Sequence, residues 1–107
     1  MMTYDFGDIV FIGFPHSDLE GITRRPAFVL YDSGDQDVLV ARITTQGYNS
    51  ETDHKISGWE NCGLLAASTI RLSKQATIEK RFILRKLGKL ESAEISDIKS
   101  LLRKIFS

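Results

Sequence analysis

The chain has 107 residues, of which 42% are hydrophobic and 26% are charged, and this ordinary globular composition excludes a disordered chain. Its length predicts a single domain covering residues 1–107. One cysteine excludes an intramolecular disulfide framework and a multi-cysteine metal site, and no apolar run approaches the roughly 20 residues of a membrane-spanning helix. Because the first residues also lack a signal-peptide pattern, we expect a soluble, cytoplasmic protein with no membrane partner.

The net charge of zero hides an uneven distribution of charge along the chain. Residues 1–55 carry four Lys or Arg against nine Asp or Glu, whereas residues 56–107 carry ten against five. Such asymmetry indicates a charged partner, or two halves that neutralise each other on folding. Two solvated faces of opposite charge are the third interpretation.

Runs of β-branched and aromatic residues between turn residues predict five or six short strands. The predicted strands cover residues 8–14, 26–32, 37–44, 54–57, 68–72 and 79–86. Polar segments that contain glycine predict loops between several of them. The two longest of these loops are predicted at residues 15–23 and 45–52.

The hydrophobic period changes to that of a helix near the C-terminus. Apolar residues at spacings of three, four and seven fall on one side of residues 92–106, with Ser92 as a candidate N-cap and Glu94 in the first turn. Strands followed by a single helix, without alternation of the two, predict a mostly β fold. The predicted architecture is a small antiparallel barrel closed by an amphipathic helix at about residues 92–106.

Two polar clusters stand at strand ends where they could share a ligand. Arg24 and Arg25 precede the predicted strand that begins at Pro26, and Thr44 and Thr45 stand where the third strand ends. Guanidinium groups bind phosphate bidentately and keep their charge, while hydroxyl groups can hold the same phosphate from the other side. The clusters are chemically fit to hold a phosphodiester, although an arginine pair before a strand is more often a solvated edge.

Several short motifs follow one another along the chain. They are Gly7-Asp8-Ile9-Val10, Arg25-Pro26 before an apolar strand, Ile43-Thr44-Thr45-Gln46, and the stretches 63–74 and 87–90 before the helix. In this order and at these separations they resemble the MazF/PemK toxins of type II toxin–antitoxin systems, over essentially the whole chain. The resemblance implies an SH3-like barrel, a homodimer, and an endoribonuclease of the mRNA-interferase type that a cognate antitoxin neutralises.

The resemblance also implies a reaction: metal-independent, sequence-selective cleavage of single-stranded RNA by attack of a ribose 2′-OH on the adjacent phosphodiester, with no cofactor. It assigns catalysis to Arg25, which would stabilise the phosphorane, to Thr44, which would donate to a non-bridging oxygen, and to Glu20, which could accept the 2′-OH proton. The residues expected to bind RNA are Arg24, Thr45, Gln46, Arg71 and Lys74. Operator DNA is expected as a partner only through the antitoxin complex.

Two other functions fit the same chain. A gyrase-poisoning toxin of the CcdB type would share the fold and act by protein contact, and a degenerate member would bind only RNA or an antitoxin. The presence of both Arg25 and Thr44 favours cleavage. His16 and His54 lie on no matched position and are interpreted as ordinary histidines.

Tyr48 and Trp59 could stack on RNA bases. Packing in the core or at a dimer interface is the preferred interpretation for both.

Overall fold

The computed structural model describes residues 2–15 and 22–106. Six strands and a helix follow in chain order: β1 (Asp8–Pro15), β2 (Ile22–Asp32), β3 (Asp37–Thr44), β4 (Asp53–Lys55), β5 (Thr69–Glu79), β6 (Ile83–Lys89) and α1 (Ser92–Phe106). Short 3₁₀ helices at Trp59–Cys62 and Lys80–Phe82 precede β5 and β6. The mostly β class predicted from the sequence is confirmed.

All six strands belong to one antiparallel sheet, in the order β4-β5-β3-β2-β1-β6. In the described part of the chain, β4 and β6 are the two edges and do not pair with each other. A closed barrel requires its first and last strands to pair, and the three residues of β4 are all paired to β5. The sheet is therefore open, and the predicted term barrel applies to it only loosely.

Strand boundaries differ from the prediction where pairing with a distant strand decides them. β2 begins at Ile22 rather than at Pro26, because β1 pairs with this segment, setting Ile12 opposite Arg25 and Gly13 opposite Arg24. The two arginines thus lie inside the strand and not in the loop before it.

The second half of the sheet shows the same effect. β5 continues to Glu79, beyond the predicted end at 72, because β3 pairs with its polar stretch. The register shifts there by a bulge over residues 72–74. The last strand is Ile83–Lys89 instead of 79–86, and β4 is Asp53–Lys55 instead of 54–57.

The helix α1 covers the predicted residues. The Glu91 carbonyl accepts a hydrogen bond from the Ile95 N–H at 3.0 Å, so that Glu91 rather than Ser92 occupies the cap position. Ile98 is fully buried, and α1 packs on one face of the sheet. No helix in the described ranges is long and apolar enough to cross a membrane.

Hydrophobic residues form two clusters because side chains alternate along each strand. The first cluster includes Phe28, Ile43 and Ile98 of the helix, and the second includes Val29 and Val40. The middle of β3 is buried on both faces, as its continuous apolar run predicts. Because side chains alternate along a strand, Arg25, Arg42 and Thr44 lie on the same face of the sheet as the second cluster. They lie near the end of β2 and β3 at which these two strands no longer pair.

Candidate active site

A cavity opens where β2 and β3 stop pairing. Their register ends at the pair Ala27–Arg42, and continuing it would set Thr44 opposite Arg25. Pro26 lies at this point and has no N–H to donate to β3. The cavity has a volume of about 250 Å³, and its lining residues are Arg24, Arg25, Pro26, Arg42, Ile43, Thr44, Thr45 and Ser68.

Arg25 and Thr44, the two residues paired by the sequence argument, therefore line the same cavity. Arg25 is exposed on β2, and Thr44 is the half-buried last residue of β3. The Thr44 Oγ1 accepts a hydrogen bond from the Gln46 N–H at 3.2 Å. Because a hydroxyl can accept and donate at once, this bond leaves the Thr44 proton available to an acceptor in the cavity.

The cavity is strongly cationic. Three guanidinium groups line it, those of Arg24, Arg25 and Arg42, and none of its described lining residues is acidic. Among the described residues, none of the three has an ion-pair or hydrogen-bonding partner. Elsewhere many cations are paired, as in Lys80–Asp32 at 2.9 Å, Lys86–Asp8 at 3.0 Å and Arg71–Asp53 at 3.1 Å. Unpaired, convergent guanidiniums favour an anionic ligand, and phosphate in particular.

Two largely apolar cavities flank the cationic one. A cavity of about 310 Å³ shares Arg25, Pro26 and Arg42 with it and extends over Val40 to Lys74. On the other side, a cavity of about 210 Å³ shares Pro26, Thr45 and Ser68 and is otherwise lined mainly by Phe11, Gly63, Leu64, Leu65, Ala66, Arg85 and Leu87. A charged centre between apolar surfaces suits a ligand in which phosphates alternate with bases.

The remaining predicted residues are distributed unevenly around this centre. Arg24 and Thr45 line the cationic cavity, and Lys74 lines the adjoining one. The Gln46 side chain belongs to neither lining. Glu20 lies outside the described residues.

Arg71, another predicted RNA contact, is engaged by neighbours. Its Nε donates to the Asp53 Oδ1 at 3.1 Å, and its guanidinium carbon lies 3.8 Å from the centre of the Tyr48 ring. Burial opposes ionisation of Asp53, but the Ser50 backbone N–H and Arg71 outweigh it and hold the Asp53 pKa below its ordinary value. The Asp53 carboxylate is therefore ionised at neutral pH, and its contact with Arg71 holds that side chain beside the cavity and not in its lining.

Arg42 and Ser68 line the cavity but were not predicted. Arg42 had a signal, since it interrupts an apolar run and stands two residues before Thr44, which places both side chains on one face of β3. Ser68 had none, because it enters from a segment distant in sequence. Its Oγ donates to the Ala66 carbonyl at 2.8 Å.

The other side chains that suggested chemistry have structural contacts. The His54 Nε2 lies 2.9 Å from the Glu94 Oε1, away from the cavity, and Trp59 packs against the first core cluster. Tyr48 lies beneath Arg71. In the described ranges, no three His, Cys, Asp or Glu side chains are grouped so as to hold a metal ion.

A match to a protein family model shows the family of this chain. The family model of PemK-like, MazF-like toxins of type II toxin–antitoxin systems matches residues 5–106, which include every residue of the cationic cavity. The chain belongs to the PemK/MazF toxin family. No match was found among curated protein sequences.

Solved structures of MazF toxins share this fold with the PemK/MazF chain. An endoribonuclease in complex with its cognate antitoxin, from a mycobacterial species, superposes with a TM-score of 0.77 at 14% identity, covering 95% of this chain and 93% of that one. Mycobacterium tuberculosis toxin MazF-mt6 gives 0.76 at 20% identity, with 92% and 95% covered. A MazE–MazF structure from Deinococcus radiodurans gives 0.77 at 13% identity, with 100% and 98% covered. At these identities the likeness establishes the fold.

Proposed function

We propose that this PemK/MazF-family toxin is a sequence-selective endoribonuclease that cleaves single-stranded RNA without a metal ion or another cofactor. The observation that carries the proposal is the convergence of unpaired Arg25 and hydroxyl-bearing Thr44 on one cationic cavity. The family match supports it, and two similar solved structures are themselves called endoribonucleases.

In the proposed reaction a ribose 2′-oxygen attacks the adjacent phosphorus, so that a P–O2′ bond forms and the P–O5′ bond breaks. The 2′-OH proton passes to a general base, for which family resemblance suggests Glu20, and the departing 5′ oxygen takes up a proton. The products are a 2′,3′-cyclic phosphate and a 5′-hydroxyl.

Arg25 and Thr44 would stabilise the pentacoordinate phosphorus between these two bond changes. Arg25 opposes the charge that grows on the phosphorane and on the departing oxygen. Because a guanidinium gives up its proton only with difficulty, Arg25 acts mainly as a fixed charge. The Thr44 hydroxyl donates to a non-bridging oxygen.

The RNA strand would run from the cationic cavity toward the two cavities that share residues with it. Arg24 and Thr45 contact backbone groups in the cationic cavity, and Lys74 does so in the adjoining one. Gln46 and Arg71, which line neither of these two cavities, contact flanking nucleotides. Sequence selectivity arises from bases held over the two apolar cavities, which differ in shape and lining.

We propose the biological setting on the same grounds. One of the similar structures is an endoribonuclease in complex with its cognate antitoxin, and two others are MazE–MazF structures. The protein would act as a cytoplasmic, single-domain homodimer neutralised by a cognate antitoxin, and would reach operator DNA only through that complex. Gyrase poisoning of the CcdB type is not favoured, because the matching family is PemK/MazF.

The test is cleavage of a long, weakly structured RNA by the pure protein in excess EDTA, with mapping of cut sites and end groups. We expect cuts with cyclic-phosphate ends, abolished by Arg25→Ala. Arg81→Ala is the matched control, since Arg81 is an exposed arginine paired with Glu79. Intact RNA together with stalled DNA gyrase would overturn the proposal.

A further inference from the structure

We propose that Arg42 binds a second phosphate, next to the scissile one on the same RNA strand, so that the cationic cavity accommodates two successive phosphates. The identity of the ligand as RNA rests on the proposed function. Arg42 is a binding residue in this proposal and takes no part in the bond changes.

The first argument is the excess of positive charge. Arg24, Arg25 and Arg42 line one cavity, with no acidic residue in its described lining. A phosphodiester carries a single negative charge, so one scissile phosphate at Arg25 and Thr44 leaves two cations without a counter-charge. Like charges on neighbouring strands destabilise a sheet, and a ligand with a second phosphate would relieve this repulsion.

The second argument is the contrast between Arg42 and Arg71, which lie directly opposite each other on β3 and β5. Arg71 is neutralised by Asp53, its opposite residue on β4, whose side chain is only 2% exposed. Tyr48 provides a further contact on the face of the Arg71 guanidinium. Arg42 is exposed and has no such partner in the described part of the chain. One member of this arginine pair has its counter-charge within the protein. The other, Arg42, has none among the described residues.

The third argument is position. Arg42 lines both the cationic cavity and the cavity of about 310 Å³ that leads to Lys74, whereas Thr44 lines only the first. On β2, the residue opposite Arg42 is Ala27. Because its side chain is only a methyl group, β2 does not obstruct the Arg42 guanidinium. A strand that leaves the scissile phosphate toward Lys74 therefore passes Arg42 first.

The test measures binding of a 2′-O-methyl RNA oligonucleotide, which lacks the nucleophile and stays intact. For Arg42→Gln we expect weaker binding and a weaker dependence on salt. The slope of log Kd against log salt concentration should be smaller by about 0.7, the value for one lost phosphate contact on a single strand. Arg42→Lys should keep the slope, because it keeps the charge. Arg81→Gln is the matched control and should behave as wild type.

A methylphosphonate scan identifies the phosphate. Neutralising one phosphate at a time should weaken binding to the wild-type protein at several positions. At one of these positions, beside the cleaved bond, the same neutralisation should not weaken binding to Arg42→Gln any further. An unchanged salt slope in both Arg42 variants, or equal losses for wild type and Arg42→Gln at every position, would overturn the proposal.

Kinetics separate this inference from the proposed function. Arg42→Gln should raise KM and leave kcat at saturating RNA near wild type, whereas Arg25→Gln should lower kcat. RNA that is bound with the altered slope but never cleaved would contradict the nuclease proposal alone. RNA cleaved in EDTA, with Arg42→Gln indistinguishable from wild type, would contradict the Arg42 proposal alone.

Discussion

At the scale of single residues, the Thr44 hydroxyl oxygen already accepts a hydrogen bond, whereas its proton is available for donation to a ligand. Its Oγ1 accepts from the Gln46 N–H at 3.2 Å, which fixes the position of the oxygen beside Arg25 in the cavity. A donor held in place before the substrate arrives costs no reorganisation during the reaction. The hydroxyl is therefore suited to stabilising charge that appears only in the transition state.

Replacing Thr44 with valine removes the hydroxyl and nearly conserves the volume. We expect Thr44→Val to lower the single-turnover cleavage rate by roughly 10²–10³, the usual effect of losing one such donor, with little change in RNA binding. Thr44→Ser keeps the hydroxyl and should retain most of the rate. Cleavage by Thr44→Val at the wild-type rate would show that the hydroxyl is not a donor in the reaction.

At the scale of elements, a buried carboxylate attaches the helix to the sheet edge. Glu94 of α1 accepts hydrogen bonds from the Ser57 N–H at 2.8 Å and the Gly58 N–H at 3.2 Å, and its Oε1 lies 2.9 Å from the His54 Nε2. Burial opposes ionisation of this side chain, but the three partners outweigh it and lower the Glu94 pKa. One carboxylate thus joins α1, β4 and the turn that follows β4.

Glu94→Gln keeps the shape of the side chain but loses its charge. We expect the free energy of unfolding to fall by about 2 kcal/mol, since hydrogen bonds to a charged acceptor are the stronger kind. The midpoint of thermal unfolding followed by circular dichroism should fall by roughly 10 °C. Glu91→Gln, at the exposed position directly before the helix, is the control and should change little. Equal midpoints for the two variants would contradict this role of Glu94.

A second contact between elements brings two backbones together through glycines. A methyl group at Gly63 would overlap the Leu87 carbonyl, and one at Gly88 would overlap the Cys62 carbonyl. The 3₁₀ helix Trp59–Cys62 is thereby held against β6, and the segment that follows it carries Ser68 into the cavity.

Gly88→Ala should therefore destabilise the protein, by roughly 1–3 kcal/mol, the usual cost of forcing an extra methyl group into a packed region. Urea unfolding measures this change. Gly47→Ala is the control, because a methyl group at Gly47 meets nothing within 4 Å. A Gly88→Ala protein as stable as Gly47→Ala would mean that the two backbones separate easily.

At the scale of the whole molecule, the two oppositely charged halves of the chain neutralise each other. Ion pairs join acidic residues of the first half to basic residues of the second, in Asp8–Lys86, Asp32–Lys80, Asp53–Arg71 and Asp5–Lys89. The structure thus supports mutual neutralisation, one of the three interpretations of the charge pattern. The three guanidiniums of the cavity belong to the acidic half and have no partner in the described part of the chain.

This electrostatic arrangement predicts the response to acid. Asp32, Asp53 and Glu94 all have a lowered pKa in the folded protein. In the unfolded chain they bind protons at higher pH, so their stabilisation is complete at neutral pH and is lost as the pH falls through the folded values. Urea unfolding should show stability falling below about pH 4.5, the ordinary pKa of Glu94, and Glu94→Gln should make the fall shallower. Constant stability between pH 5 and pH 3 would contradict the assignment.

Local sequence patterns are sufficient to predict some strands and the helix, but not the bounds of other strands. β1, β3 and α1 were predictable because their hydrophobic period lies within the element itself. The start of β2 and the length of β5 depend on pairing with β1 and β3, which no local window contains.

The candidate site divides in the same way. Arg25 and Thr44 followed from strand ends and family motifs, and the structure places both in one cavity. Arg42 was overlooked because a charge inside an apolar strand was interpreted only as part of that strand. Ser68 depends on the fold of a distant segment, which sequence reasoning could not supply.

The central claim is that a ribose 2′-oxygen attacks a phosphate held by Arg25 and Thr44. The most direct measurement uses an RNA oligonucleotide with one 2′-deoxy nucleotide on the 5′ side of the mapped cleavage site, assayed in excess EDTA beside the all-ribose oligonucleotide. The account predicts that the all-ribose RNA is cut, while the single deoxy substitution blocks cleavage at that bond and leaves binding unchanged. Cleavage of both oligonucleotides at comparable rates would contradict it.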